Sequence, residues 1–463
     1  MRILTACRLP FAALLLAGCS VGPNYVRPSA PTPVAYKELK GWTISKPLDG
    51  VPKGAWWSVF HDPLLDQLES RVQIDNQSVK AAAAAYEEAR ALVAEGRSQL
   101  FPTATLNSSI VRASGSPPTT DVTAQADASW APDLWGRVRR TIESEKAGAQ
   151  ASAADLQNAT LLAQAALAAD YFDLREADSL QALLESTVAE YKRSLQITQN
   201  QFKAGTTAGS DVVTAQTQLL TAQAQAINVG VARAQFEHAI AVLTGRPPAE
   251  LTVPRGRLSG AIPTVPAGVP STLLERRPDI AAAERRVKQE NALIGVAVAG
   301  YYPNLTLSGL VDYAGDPFSG ILKSSNLVWS LGASGSQTLF NGFLTQAQVR
   351  AARAAYEQSV ATYRQSVLTA FQQVEDELAA IRILRRQAVA EDAAERSAQR
   401  SVTIALNEYR AGSQAYTAVV TAQAAALQNE ESALTIRLQR TLALVSLIED
   451  LGGGWSAADL PAG

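Results

Sequence analysis

The chain has 463 residues, 47% of them hydrophobic and 18% charged, with a formal net charge of −2. That near-neutral balance argues against a nucleic-acid partner. Two cysteines and two histidines leave little material for a disulfide framework or a metal centre.

Arg2 and Arg8 flank an apolar run from Leu9 to Ala17, and the segment ends Leu16-Ala17-Gly18-Cys19. A plain secretory signal ends in a small-x-small site. A cysteine directly after the cleavage point is instead a lipobox, so residues 1–18 read as a signal peptide and Cys19 as a lipidated N-terminus. Ser20 in the next position favours sorting to the outer membrane. Cys7 leaves with the signal, so the mature chain forms no internal disulfide. No later stretch offers about 18 uninterrupted apolar residues, and no membrane-spanning helix is expected.

Residues 19–62 open proline-rich, as SVGPNYVRPSAPTP, and read as an extended strap. In WWSVFHDPLLDQL, Asp62-Pro63 starts a helix with proline in its first turn. That helix is expected to reach about Leu100 and stop before Pro102. The period then changes from 3.6 to 2. Val122, Ala124, Ala126, Ala128 and Trp130 fall on one side, with Thr123, Gln125, Asp127 and Ser129 on the other, which is strand alternation. Ala104 to Val111 reads as its hairpin partner, across the loop RASGSPPTTD.

The pattern returns later. Leu305 to Tyr313 and Leu327 to Leu339 form a second hairpin around Asp316, Pro317 and Gly320. The pentapeptide VVTAQ occurs at Val212–Gln216 and again at Val419–Gln423, each after a glycine turn; Gly205 and Gly412 are 207 residues apart (412 − 205). Pro102 matches Pro303, and Leu134-Trp135 is aligned with Leu339-Phe340. A period this long is no solenoid; one large module is built twice. No proline interrupts Arg137 to Lys203 or Thr345 to Arg410, so each hairpin feeds a helix of on the order of 100 Å. Tyr356, Val360, Tyr363, Val367, Ala370, Val374, Ile381 and Leu384 form a seam broken at Glu377. Leu167, Leu174, Leu184, Val188, Tyr191, Leu195 and Phe202 form its counterpart, broken at Gln181. The expected organisation is a first repeat at 63–245 with its hairpin at 103–135 and turn at 205–209. A linker at 246–270 follows. The second repeat occupies 271–451, with its hairpin at 304–340 and turn at 412–415, and a disordered tail is expected at 452–463.

Four strands with one apolar and one polar face cannot lie open in lipid, because unpaired edge groups find no water there. Closure needs about eight strands or more, hence at least two copies of the chain. Trp130, Trp135, Tyr313, Trp329 and Phe340 are candidate membrane-interface aromatics.

CSVGPNY after the lipobox, WWSVFHDPLLDQL, LLERRPDIAAAE and the paired AG…VVTAQ turns together resemble the outer membrane factors of tripartite export systems. These are the TolC-like channels, and specifically the lipoprotein branch called the NodT family. The resemblance spans essentially the whole mature chain. It implies a mainly α fold with a transmembrane β-barrel. In that arrangement a homotrimer contributes four strands per chain to a 12-stranded barrel, continuous with a periplasmic coiled-coil tube. It implies a passive outer-membrane exit channel for drugs or small solutes. The implied partners are a periplasmic adaptor and an inner-membrane pump, most simply a proton-driven one. Gly205, Thr206, Thr207, Gly209, Gly412 and Ser413 correspond to adaptor-contacting tips. Tyr409, Gln414, Ala418, Thr421 and Asp211 correspond to the closed aperture, with Tyr409 as a latch. The family's acidic ring is missing at Gln414, Ala418 and Thr421, which leaves only Asp211 as a carboxylate near that position.

Other readings weighed are a type I protein-secretion channel, a metal-ion efflux channel, and a periplasmic adaptor or structural coiled-coil lipoprotein. Met1 is the only methionine, so no Met-rich metal relay exists. No catalytic constellation is found; His61 and His238 are unpaired at metal spacing, and Glu375-Asp376-Glu377 reads as a helix-face charge run. No enzyme activity and no cofactor other than the covalent lipid on Cys19 are expected.

Overall fold

The computed structural model describes residues 20–38, 55–115, 118–259, 262–263, 276–315 and 324–460. The signal peptide, Cys19, most of the second half of the 246–270 linker, residues 271–275 and the 316–323 hairpin loop lie outside the described residues.

A single 3-10 turn, Trp56–Phe60, precedes helix α1 (Pro63–Asp75), α2 (Gln77–Ser98), strands β1 (Thr103–Ala113) and β2 (Thr119–Trp130), α3 (Arg137–Lys203) and α4 (Gly209–Leu243). The second half repeats the order with α5 (Pro278–Ala299), β3 (Asn304–Gly315), β4 (Leu327–Ser336), α6 (Leu344–Arg410) and α7 (Tyr416–Asp450). Helices α3 and α6 each have 67 residues, about 100 Å at 1.5 Å per residue. Helices α4 and α7 each have 35.

The expected single helix from Asp62 to Leu100 is two. The Asn76 side chain accepts hydrogen bonds from the amides of Ser78 and Val79, at 2.9 and 3.1 Å, and donates to the Leu243 carbonyl at 2.9 Å. An N-cap inside the run breaks the helix without glycine or proline. Asp62 does cap α1, accepting from the amides of Leu64 and Leu65.

One four-stranded antiparallel sheet runs β1-β2-β3-β4. Its register places Ile110, Val122, Leu106, Ala126, Val311 and Trp329 on one face, and Asn107, Asp127, Gln125, Asp312 and Ser330 on the other. The alternation read in the sequence is therefore the alternation of faces. On the polar face Asn107 and Gln125 donate to Asp127, at 3.1 and 2.7 Å. Strand β4 stops at Ser336 rather than Leu339.

The two halves superimpose in sequence with two displacements. The segment through α2/α5 and β1/β3 is displaced by 201 residues (304 − 103). From β2/β4 onward the displacement is 207, since Ser129 opposite Thr103 matches Ser336 opposite Asn304. This corrects the alignment of Trp135 with Phe340; Trp135 is equivalent to Gly342, and the left-handed helix N-cap Gly136 (φ 78°) to Phe343 (φ 67°).

The main core lies where both long helices pass α1 and the ends of α5 and α7, around Trp56, Tyr171, Val367, Val374, Leu174 and Leu447. The α6 seam keeps Tyr363, Val367, Ala370 and Val374 buried but continues through Leu378 rather than Glu377. A step of four replaces the expected three, and Glu377 sits beside the seam. Phe202, placed in the α3 seam from the sequence, is 51% exposed and lies over Gly209 at the turn. Part of the tail expected to be disordered is packed. Residues 452–454 turn back, and Trp455 packs on Ala154, Ala281 and Ala282.

Beyond the core, buried charge ties distant segments together. Asp178 accepts from Arg233 at 2.8 Å, from Arg175 at 3.3 Å and from the Gly256 amide at 3.0 Å, fastening the linker to α3 and α4. Arg277 bridges Asp279 at 2.8 Å and Asp450 at 3.1 Å, joining the start of α5 to the end of α7. Arg277 and Arg233 stand inside motif-like text, RRPDI and VARAQ, whose role the sequence does not disclose.

Glu69 in α1 is fully buried, and neither carboxylate oxygen has a hydrogen-bond partner. Burial, assisted by Asp66, pushes its carboxyl up to about 9 from the ordinary 4.5. The folded chain thus holds a proton that the unfolded chain releases, and stability falls as pH rises between those two values. Glu69→Gln is expected to raise stability at pH 8 by on the order of a few kcal/mol, read as a higher melting temperature, and to change little at pH 4. Equal effects at both pH values in detergent-solubilised protein would contradict a neutral Glu69.

Candidate functional site

Three regions carry the features singled out in the sequence: the sheet, the two turns at the far ends of the long helices, and the strap at the junction between them.

Every residue of β1 and β4 is exposed, and each strand offers one unpaired edge. The apolar face is bare, with Leu106 79%, Leu331 81% and Trp329 67% exposed. Aromatics gather where the sheet meets the helices. Trp130 donates from its indole to the Leu100 carbonyl at 3.0 Å. Trp135 donates to the Pro303 carbonyl at 2.7 Å and stacks on Tyr302 with ring centroids 4.9 Å apart. Phe340 is exposed and meets Phe343 edge-on at 5.8 Å. Trp329 and Tyr313 lie toward the opposite end, by the loop between β3 and β4. Tyr301, Tyr302 and Phe343 complete the junction group and were not picked out from sequence. The signal was the Tyr-Tyr-Pro preceding β3.

At the far end, Gly205 and Gly412 adopt the left-handed region, φ 73° and 74°, with no atom within 4 Å of where a Cβ would stand. Glycine is there for the backbone angle, not for space. The two turns are tied to each other. Gln201 Nε2 donates to the Tyr409 carbonyl at 3.2 Å, and the Tyr409 hydroxyl donates to Thr207 Oγ1 at 3.5 Å. The Thr207 hydroxyl in turn donates to Asp211. Tyr409 packs on Tyr416 at 5.1 Å, and both rings are buried with Ala215, Ala405 and Val419. Tyr409, Thr207 and Asp211 are thus one connected group. Thr206, Ser413, Gln414 and Thr421 are exposed, while Gly209 and Ala418 are half-buried. Gln201 and Tyr416 belong to the same group and were missed by sequence reading; Tyr416 precedes VVTAQ, where the first repeat has Gly209.

The strap starts at the sheet–helix junction. The Val21 amide donates to the Trp135 carbonyl at 3.0 Å. Arg140, on α3, donates to the carbonyls of Val21 at 3.1 Å and Gly22 at 3.3 Å and to Asn24 Oδ1 at 2.9 Å. Asn291 holds the Pro23 carbonyl at 3.1 Å, and the Tyr25 hydroxyl donates to Glu284. At the crossing a Cβ on Gly22 would stand 2.4 Å from Gly295 Cα, so two glycines let two backbones touch. Lower down, Glu375 accepts from the amides of Lys37 and Glu38, and Arg382 pairs with Glu38. The charge run 375–377 therefore clamps the strap, in part, rather than only facing solvent.

Among the described residues no helix is long and apolar enough to cross a membrane. No group of three or more His, Cys, Asp or Glu among them is placed to hold a metal ion. What remains is an apolar sheet with open edges carried on two helices of about 100 Å.

A family model described as outer membrane efflux protein matches residues 68–246 and 269–453. The chain belongs to that family. It is 29% identical over 466 residues to the solvent efflux pump outer membrane protein SrpC of Pseudomonas putida, covering 97% of this chain and 98% of that one. It is 27% identical over 455 residues to the cation efflux system protein CusC of Escherichia coli, covering 96% and 98%. The solved structure of the outer-membrane channel OprN matches with 30% identity and a TM-score of 0.86, over 94% of this chain and 100% of that one. The channel is accordingly the outer-membrane component of an efflux system, with a TolC-like fold and a large periplasmic part.

Proposed function

We propose that three copies of the channel close a 12-stranded barrel in the outer membrane, and that it passively conducts drugs or small organic solutes delivered by a periplasmic adaptor and a proton-driven pump. The observation that carries this reading is the sheet. Four strands with an apolar outer face, a hydrogen-bonded polar inner face and two free edges satisfy their backbone in lipid only as part of a closed barrel. Organic-solute export is favoured over metal export because Met1 is the only methionine, while the similarity to the solvent protein SrpC and the cation protein CusC leaves both chemistries within the family's reach.

The turns at Gly205–Gly209 and Gly412–Ala415 are read as the periplasmic tips, where the adaptor docks and the pore narrows. Opening is a splaying of the tips that breaks the Tyr409–Thr207 contact, driven by an adaptor that prefers the open form. Aromatics at both sheet ends, Trp130, Trp135, Tyr313, Trp329 and Phe340, are read as membrane-interface anchors. Cys19 is read as the lipidated residue, one position before Ser20, which lies against Gly136 at the sheet–helix junction. This anchor supplements the barrel.

Three measurements test these points. Cys19→Ser should lose incorporation of labelled palmitate, and undiminished labelling would refute the lipid. A short bis-thiol bridge between Thr207→Cys and Tyr409→Cys should lower export to the level of a strain lacking the channel; full export with verified bridges would exclude tip opening. A photocrosslinker on Ser413→Cys should capture the adaptor of a proton-driven pump in living cells. Capture of an adaptor belonging to an ATP-driven exporter would move the channel to secretion, and capture of none would remove the tip assignment.

A further inference from the structure

Helix α7 ends in three consecutive glycines, and all three stand in the left-handed region, Gly452 at φ 91°, Gly453 at 57° and Gly454 at 88°. Such a run reverses the chain at once, and only glycine accepts it without strain. Space makes the same demand. A Cβ on Gly452 would stand 2.0 Å from the Arg276 carbonyl oxygen, and one on Gly453 would stand 2.4 Å from Leu161 Cδ1. The Gly453 amide donates to the Ile448 carbonyl at 2.9 Å and the Trp455 amide to the Gly452 carbonyl at 3.0 Å. The reversal lays Trp455 on Ala154 of α3 and on Ala281 and Ala282 of α5.

Between that loop, α1 and α3 lies a cleft of about 290 Å³, at the small end of ligand sites. Its walls carry Gln73 of α1, Gln157, Thr160 and Gln164 of α3, the glycine loop and Trp455, and no charged side chain. The larger cleft between α3, α6 and α7 is by contrast charged, with Glu190, Arg193, Arg410 and Glu430 on its walls. Among the described residues the amides of Gln73, Gln157 and Gln164 have no hydrogen-bond partner in the protein. The Thr160 hydroxyl donates to the Leu156 carbonyl at 2.8 Å, which leaves its oxygen free to accept. Gln164 carries the most weight. Its side chain lines the cleft although the residue is only 5% exposed, and a carboxamide so withdrawn from bulk water is costly unless its donors and its acceptor are met.

This combination selects a narrow chemistry. Each carboxamide offers two donors and one carbonyl acceptor, so the occupant supplies both donors and acceptors without charge. Trp455, backed by alanines, offers a flat apolar surface to a ring. A sugar ring meets both demands, with hydroxyls at its rim and C–H groups on its face, and an acetamido substituent pairs donor and acceptor with a carboxamide. We propose that the cleft binds a neutral N-acetylated glycan, and that this glycan is the backbone of the cell wall. Its position agrees with that occupant. Gln157 and Gln164 lie 20 and 27 residues beyond the start of α3 (157 − 137 and 164 − 137), about 30 and 40 Å from the sheet–helix junction at 1.5 Å per residue. That level belongs to the periplasmic part, away from the sheet, where the wall is the polymeric saccharide that the channel has to pass. A grip there touches neither the sheet nor the tips, so it stands independently of the closed-barrel and gating readings.

The test is calorimetric titration of the full-length protein in detergent with two tetrasaccharides, chitotetraose (N-acetylglucosamine units) and cellotetraose (glucose units), together with cosedimentation on purified cell-wall sacculi. Chitotetraose should bind, and cellotetraose should bind about tenfold more weakly or less. Trp455→Ala and Gln164→Ala should each weaken chitotetraose about tenfold and abolish cosedimentation, whereas Trp455→Phe, which keeps a ring, should stay within about threefold of the unaltered protein. Gln157→Ala, at an exposed position, gives the same readout if the more buried changes lower the melting temperature. Equal or tighter binding of cellotetraose, or chitotetraose binding without cosedimentation, assigns the cleft to a soluble oligosaccharide and overturns the wall as its source. Chitotetraose binding that none of the three alanine variants weakens puts the sugar elsewhere and overturns the site. No binding of either tetrasaccharide overturns the saccharide assignment. Export by all four variants should match that of the unaltered channel, so failure here is distinguishable from failure of the export reading.

Discussion

The edges of the sheet govern the rest of the molecule. Strands β1 and β4 each present a row of backbone donors and acceptors to nothing in the chain, and in hydrocarbon such groups cost several kcal/mol apiece. No rearrangement of four strands removes both edges. The chain therefore cannot reach its lowest free energy as a single copy in a membrane, and the features that look excessive in one copy follow from that. The bare alanine face of α2, the exposed apolar face of the sheet and the long thin helices are halves of contacts.

Packing in the helical part follows the same economy. Where α5 meets α3, alanines on both sides bring the backbones close, and Ala147, Ala151, Ala154 and Ala282 are all nearly inaccessible. Small residues contribute little transfer free energy each but allow dispersion contacts along many turns. Large side chains concentrate where α1, α3, α6 and α7 converge. The buried charges sit at that level too, with Asp178 and Arg277 each satisfied by several partners. Removing one member would leave the others buried and unpaired, which is where such networks cost most. They fix how the two repeats sit on each other more than they add net stability.

Much of this was legible from sequence because it is periodic. Alternation from Val122 to Trp130, the proline-free spans of α3 and α6 and the duplicated VVTAQ turns are local patterns, and local patterns survive translation into structure. What was not legible depends on partners far away in the chain. Asn76 ends a helix in a stretch with no helix breaker, because its side chain also reaches Leu243. The strap reads only as proline-rich until Arg140 and Gly295 are seen beneath it. Phe343 takes a left-handed cap where the first repeat has glycine, so the alignment of the hairpin ends drifted by two residues when judged by aromatic identity. The α6 seam was misread at Glu377 because strict heptad steps were continued where the helix takes a step of four to Leu378. At the tips the turn glycines were evident, but the Gln201–Tyr409–Thr207–Asp211 group unites residues about 200 positions apart, and no spacing rule finds it.

A chain built from two copies of one module could have held both alike. It does not, because only one N-terminus is available to the two. The strap leaves the sheet–helix junction at Ser20, threads between α3 and α5, and is gripped again by Glu375 and Arg382 on α6. It thereby joins the front of the second repeat to the backs of both repeats within one copy. Repeats within a copy are consequently held by sheet, helix packing and strap. Among the described residues the strap's last grip on a helix is that of Arg382 on Glu38, 27 residues (409 − 382) before Tyr409 at the turns. Nearer the turns the described ties between the two halves include Gln423 donating to Ser194 and the Gln201–Tyr409–Thr207–Asp211 group.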